Sequence, residues 1–248
     1  MAPRLPKTIE SEIFSILNES IDKGSLLSDI QCQSLVRKAS KLNLANKYVC
    51  LSAIYTHAQK YEKAIESANN YFETQQLDED LVDNVISALS NAKLFESVTD
   101  ISKNYPSILN YSSSRYNCYE AALYILDIEH CDYIYSNYEL DKSYYSFNHS
   151  SVKEYFENDK EISSRASQYF RSVFKYLTQV LASNKKAGSS LELGLSACGS
   201  YSSLELIVSL KEMDFETVLD IESQWLKKIA GYEVYDDKLC DIAFSMEL

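Results

Sequence analysis

Apolar positions in the first half of the chain return every 34 residues. Phe14, Leu17 and Ile21 recur as Tyr48, Leu51 and Tyr55, and again as Val82, Val85 and Leu89. The spacing within each set is i, i+3, i+7, which places three side chains on one face of a 3.6-residue helix. A second set repeats at the same period: Leu27 and Ile30, then Tyr61 and Ala64, then Phe95 and Val98. This pattern predicts pairs of helices. One pair cannot bury its apolar stripe alone, so the pairs are expected to stack into a continuous core. A fourth first helix is expected over Tyr116, Tyr119 and Leu123, but its second-helix positions fall on Glu129 and Asp132, where the period breaks.

Beyond residue 137 the pattern changes. Residues 138–152 lack helical periodicity and carry Ser and Asn clusters, so a connecting loop is expected over 138–161. An amphipathic helix follows from Ile162 to Ser183, with Ala166, Phe170, Val173, Leu177 and Val180 on its apolar face. The period then drops to two. Leu191, Leu193 and Leu195 alternate with polar or small residues, Cys198 to Tyr201 make a turn, and Leu204, Leu206, Val208 and Leu210 alternate again, which predicts a β-hairpin. A helix from Asp214 to Ala230 with Asp214 as N-cap, and a last strand through Cys240, Ile242, Phe244 and Met246, complete the chain. The expected fold class is α+β, mainly α. An N-terminal αα-solenoid spans 1–137, and a small α/β domain of order α-β-β-α-β, with a three-stranded sheet, spans 162–248.

The segment from Tyr48 to Tyr71, YVCLSAIYTHAQKYEKAIESANNY, resembles a tetratricopeptide repeat through Tyr48, Leu51, the small Ser52, Tyr55, Tyr61 and Ala64. The resemblance extends over about residues 11–112. Arg37, Tyr71 and Tyr105 stand where the family has a small residue late in the second helix, and Leu42, Gln76 and Asn110 replace its closing proline. The resemblance implies a concave surface, lined by the first helix of each pair, that binds a peptide or protein segment. Asn18, Ser52, Thr56, Ile86 and Ser90 are the candidate groove residues. The Lys, Arg and Asn clamp of better-known members is missing from these positions.

Charge narrows the choice of partner. Thirty-six acidic against 24 basic residues give a net charge of −12, and residues 187–248 hold 12 acidic and 4 basic residues. Affinity for phosphate backbones comes mainly from Lys and Arg, so nucleic acid is not an expected partner. A protein or peptide with a basic surface is. There is no apolar run of membrane-spanning length and no apolar leader in Met1 to Glu10, so a cytoplasmic protein without a membrane partner is expected. The six cysteines are scattered without a CxxC pair and read as buried small hydrophobes.

Candidate chemistry is sparse. His57, His130 and His149 sit in no catalytic motif, and no phosphate-binding, nucleophile-elbow or zinc-protease signature is present. Asp236, Asp237 and Asp241 read as solvated charge, not as a metal site. No catalytic residue, cofactor or metal is therefore assigned. Tyrosine, 20 in all, is dense over residues 111–147, and Tyr144 and Tyr145 are candidate partner-binding residues. The expected function is a non-enzymatic protein–protein interaction module of inhibitor, antitoxin, immunity or assembly-adaptor type. The alternative is an enzyme or small-ligand sensor with a site between the helical array and the C-terminal sheet, near Tyr144, Tyr145 and Cys198. A homo-oligomer that completes its apolar faces is a third expectation.

Overall fold

The computed structural model describes residues 8–22, 25–140, 142–156, 160–184, 189–198, 201–210, 213–233 and 237–248. Over these residues the protein is mainly helical, with a small sheet near the end of the chain. Helices α1 (Ile9–Asp22), α2 (Asp29–Ala39), α3 (Leu44–His57), α4 (Tyr61–Glu73), α5 (Glu79–Asn91), α6 (Phe95–Asn104), α7 (Ser112–Tyr124) and α8 (Ile128–Asn137) come first, with a 3-10 turn at Pro106–Asn110. The odd-numbered helices pack in succession, α1 on α3, α3 on α5 and α5 on α7, and each also meets the helix that follows it.

Local chemistry sets the starts and ends of these helices. Ser28 and Gln31 form a reciprocal capping box before α2, and Asn43, Asp78 and Asp127 cap α3, α5 and α8 through their side chains. Helices α3, α5 and α7 end alike. Gln59, Lys93 and Leu126 take positive φ of 55°, 62° and 53°, and the N–H of the following residue reaches back five positions: Lys60 to Tyr55 O at 2.8 Å, Leu94 to Leu89 O at 3.0 Å and Asp127 to Ala122 O at 2.8 Å. This is a Schellman closure built without glycine. The last of these turns arrives one residue early. The fourth second helix therefore buries Ile128, Cys131 and Ile134, which explains why a strict 34-residue period lands on Glu129 and Asp132.

Most periodic anchors are buried, among them Leu17, Val82, Val85, Leu89, Ala64, Phe95 and Val98. Two are not. Ile21 is 59% and Ile30 82% exposed. Helix α2 turns Cys32, Leu35 and Ala39 inward instead.

The loop expected over 138–161 is corrected: Lys142–Tyr155 forms a helix, α9. Its inward positions are His149, Val152 and Phe156, an i, i+3, i+7 stripe that a histidine disguises. Lys153 donates to Asp132 of α8 at 3.0 Å, and the Tyr155 hydroxyl donates to Lys238 O at 2.8 Å.

The rest of the chain comprises α10 (Lys160–Ser183), β1 (Ser189–Cys198), β2 (Tyr201–Leu210), α11 (Phe215–Ile229), α12 (Asp237–Cys240) and β3 (Ala243–Glu247). Strands β1 and β2 are antiparallel with Cys198 opposite Tyr201; β2 and β3 are parallel with Leu206 opposite Phe244. A parallel pair needs a crossover, and α11 lies within it. Leu204, Leu206, Val208 and Leu210 alternate inward along β2. Phe244 wedges its ring against Phe170 of α10 and Trp225 of α11, at 5.8 and 5.7 Å. The buried Trp225 indole donates to Val173 O at 3.1 Å, and Glu222 of α11 accepts the N–H of Met246 at 2.8 Å. One buried apolar cluster runs from Ala45 of α3 to Met246 of β3, and a smaller one joins α1, α2 and α3.

Candidate functional site

Aromatic rings lock α10 onto the helix pairs. Phe95 of α6 stacks on Tyr124 of α7 with centroids 5.0 Å apart, and Phe174 of α10 meets both edge-on at 4.9 and 6.2 Å. Beside them Arg171 donates to Glu96 at 3.0 Å and to Asp100 and Asp127 at 3.3 Å, while Lys103 donates to Asp127 at 2.6 Å. These groups tie α6, the cap of α8 and α10 together.

Between the first turns of α4 and α6 and one side of α10 lies a groove of about 800 Å³. Tyr61, Ile65, Leu94, Phe95 and Phe174 supply its buried and half-buried apolar surface. Its charged lining is Lys60, Lys63, Lys93, Arg171, Lys175 and Lys228 against two carboxylates, Glu62 and Glu96. Lys60 is engaged by Asp29 at 2.8 Å, a bond that raises its pKa, and Arg171 is held by its three carboxylates. Lys63, Lys93, Lys175 and Lys228 have no carboxylate within ion-pair distance among the described residues. Lys228 donates to the amide oxygen of Gln179 at 3.3 Å and lies over the Tyr176 ring, 5.9 Å from its centroid. Burial holds the Lys93 ammonium below its ordinary pKa, opposed by Glu120, whose own carboxyl is pushed up by burial.

The backbone adds to the positive field. Lys60 and Leu94, the N-cap residues of α4 and α6, make no side-chain cap bond, and the first turns of both helices line the groove. Their amide ends carry partial positive charge. In a chain of net charge −12, the groove is a local reversal of sign. It suits carboxylate or phosphate groups attached to an apolar body.

The residues chosen from the sequence lie elsewhere. Ser52 and Ile86 are fully buried, which corrects their assignment to a groove; Thr56 and Ser90 are half-buried and Asn18 is exposed. The reason is that the first helices pack directly on one another. On the α5–α7 seam, for example, Ser114 donates to Asp83 and Asn117 donates to Ser87 at 3.3 Å. Tyr144 and Tyr145 fall on the backbone of α9, and their side chains, like that of Cys198, lie outside the described residues, as does Asp236. Sequence reasoning missed the groove. Its one local signal is lysine at the same turn of successive pairs, Lys60 and Lys93.

One pair has the geometry of a nucleophile and base: Ser102 Oγ lies 2.7 Å from His130 Nε2. Ser102 is fully buried and its hydroxyl donates to Thr99 O at 2.8 Å, while desolvation lowers the His130 pKa to about 4. The pair is an internal bond between a fully buried hydroxyl and a buried ring. Cys32, Cys50, Cys118 and Cys131 are buried, and burial pushes the Cys50 and Cys118 thiols up to about 12, whereas Cys240 is exposed, which corrects its reading as a buried residue. Among the described residues no His, Cys, Asp and Glu group is arranged to hold a metal ion, and no helix is long and apolar enough to cross a membrane. Comparisons with protein-family models, curated proteins and solved structures give no match.

Proposed function

We propose that this chain is a non-enzymatic module that holds a segment of a partner polypeptide, as an adaptor or inhibitor does. In this reading it is a solenoid of tetratricopeptide-like helix pairs with the small sheet domain packed at its end. The observation that carries it is a set of lysines, Lys63, Lys175 and Lys228, with no carboxylate within ion-pair distance among the described residues, beside the half-buried apolar Tyr61, Ile65 and Leu94. Like charges gathered at one place repel, and an acidic segment relieves that repulsion. A stretch in which Glu or Asp alternates with Leu or Phe satisfies both surfaces. A basic patch elsewhere on the same partner suits the acidic remainder of the molecule.

The test is fluorescence anisotropy of the purified full chain with a labelled Glu/Leu peptide. Binding is expected to weaken about tenfold or more between about 50 mM and 0.5 M salt, as exposed charge pairs are screened. Lys63→Glu combined with Lys175→Glu is expected to abolish it at low salt. Binding that ignores salt, or that survives the double substitution, sinks the proposal. A small-anion sensor is the second reading, because the groove lies where the helix pairs meet the C-terminal unit. Displacement of the peptide by inorganic pyrophosphate at micromolar concentration favours it.

A further inference from the structure

Helix α11 has two apolar faces, and the fold uses one. Val218, Ile221, Trp225 and Ile229 are buried. Phe215, Leu219 and Leu226 are 62%, 45% and 37% exposed. At about 100° per residue, these three fall with Ser223 and Ala230 in a single outward arc. The charges along one margin of that arc are segregated, with Glu216 and Asp220 in the N-terminal half and Lys227 in the C-terminal half.

We infer that this face is the contact between two copies of the chain, with α11 paired antiparallel to α11 about a two-fold axis near Ser223. In that register Leu219 of each copy meets Leu226 of the other, and Phe215 meets the small Ala230. Lys227 falls between Glu216 and Asp220 of the facing helix, since margins on the same side of two antiparallel helices face each other. The charge order selects this occupant. The pattern complements itself only when reversed, because in a parallel pair about a two-fold axis each margin faces the opposite margin of the other helix. Glu222, near the axis, is already engaged by the N–H of Met246 at 2.8 Å. Lys228 points away from the stripe by more than about 100° of helix rotation, so the groove stays open in the dimer and the inference stands apart from the proposed function.

The contact is small. A 15-residue helix is about 22 Å long, and one such face buries less than the roughly 800 Å² per partner of a standard stable complex. The dimer is therefore expected to be weak and concentration-dependent. Sedimentation velocity of the full chain from about 1 to 200 μM tests it over the concentrations where such a contact forms. A concentration-dependent dimer is expected. Leu219→Glu, at an exposed position where circular dichroism checks the fold, is expected to leave only monomer. Lys227→Glu is expected to weaken the dimer about tenfold, and adding Glu216→Lys and Asp220→Lys to restore it to within about threefold of the parent. A monomer at every concentration overturns the inference. So does a dimer indifferent to Leu219→Glu, or one that the charge exchange fails to restore.

Discussion

His130 couples the stability of the molecule to pH. Its ring bonds Ser102 and lies parallel to Tyr133 at 5.9 Å, and desolvation, followed by the nearby Lys103 charge, brings its pKa to about 4. In the unfolded chain a histidine titrates near about 6.5. As pH falls, the unfolded state takes the proton first. The stability that His130 contributes is therefore complete above about pH 6.5 and is lost as pH falls toward 4, by about 3 kcal/mol in all. His57 and His149 are lowered by burial as well and act in the same direction. Urea midpoints are expected to drop between about pH 7 and 4.5, and to drop less in His130→Asn; equal slopes count against this account. The sequence shows His130 as a helix residue without a motif. Its pKa depends on its burial and then on Lys103 in another helix, which no local pattern reports. His149 is similar: it lies 3.1 Å from Asp132, off the line of a hydrogen bond, with Tyr119 and Tyr135 edge-on to its ring.

At the scale of elements, the turns hold most of the unexploited stability. Gln75, just past the end of α4, takes φ of 57° with its side chain exposed. A left-handed conformation costs a non-glycine residue about 1–2 kcal/mol, and glycine gives part of that back as unfolded-state entropy. Gln75→Gly is expected to raise the unfolding free energy by about 0.5–1 kcal/mol. Leu126 has the same conformation but is fully buried. Leu126→Gly removes a core side chain and is expected to lower stability by about 2–4 kcal/mol. Thermal melts of the two variants should move in opposite directions. These turns also mark how far the periodic pattern could be followed. It located the first helices because Phe14, Tyr48 and Val82 sit on three successive ones, α1, α3 and α5. It stopped at Glu129 because a turn shortened by one residue slides every later anchor off the template. It missed α9 because a polar His149 occupies an inward position.

The groove belongs to the whole molecule, since it joins residues near 60, near 93, along 171–183 and at 228. Its cations are scattered in sequence, and α10 carries Arg171 and Lys175 alongside Lys63 and Lys93. Composition pointed the other way, toward a basic partner, because a net charge averages over the surface. Arg171 is the joint that holds this arrangement, bridging Glu96, Asp100 and the mostly buried Asp127. Arg171→Ala leaves Asp127 with Lys103 and its cap bond from the His130 N–H, and is expected to lower stability by about 1–3 kcal/mol. Chemical denaturation of that variant should also weaken the docking of α10; unchanged near-ultraviolet dichroism of the Trp225 region at the altered midpoint would count against the joint. Glu222 bears on how copies of the chain associate. Its carboxylate occupies the outward N–H of Met246, the group that an added strand would have to engage beside β3. Strand-to-strand addition at that point of the edge must first displace this carboxylate, which disfavours growth there.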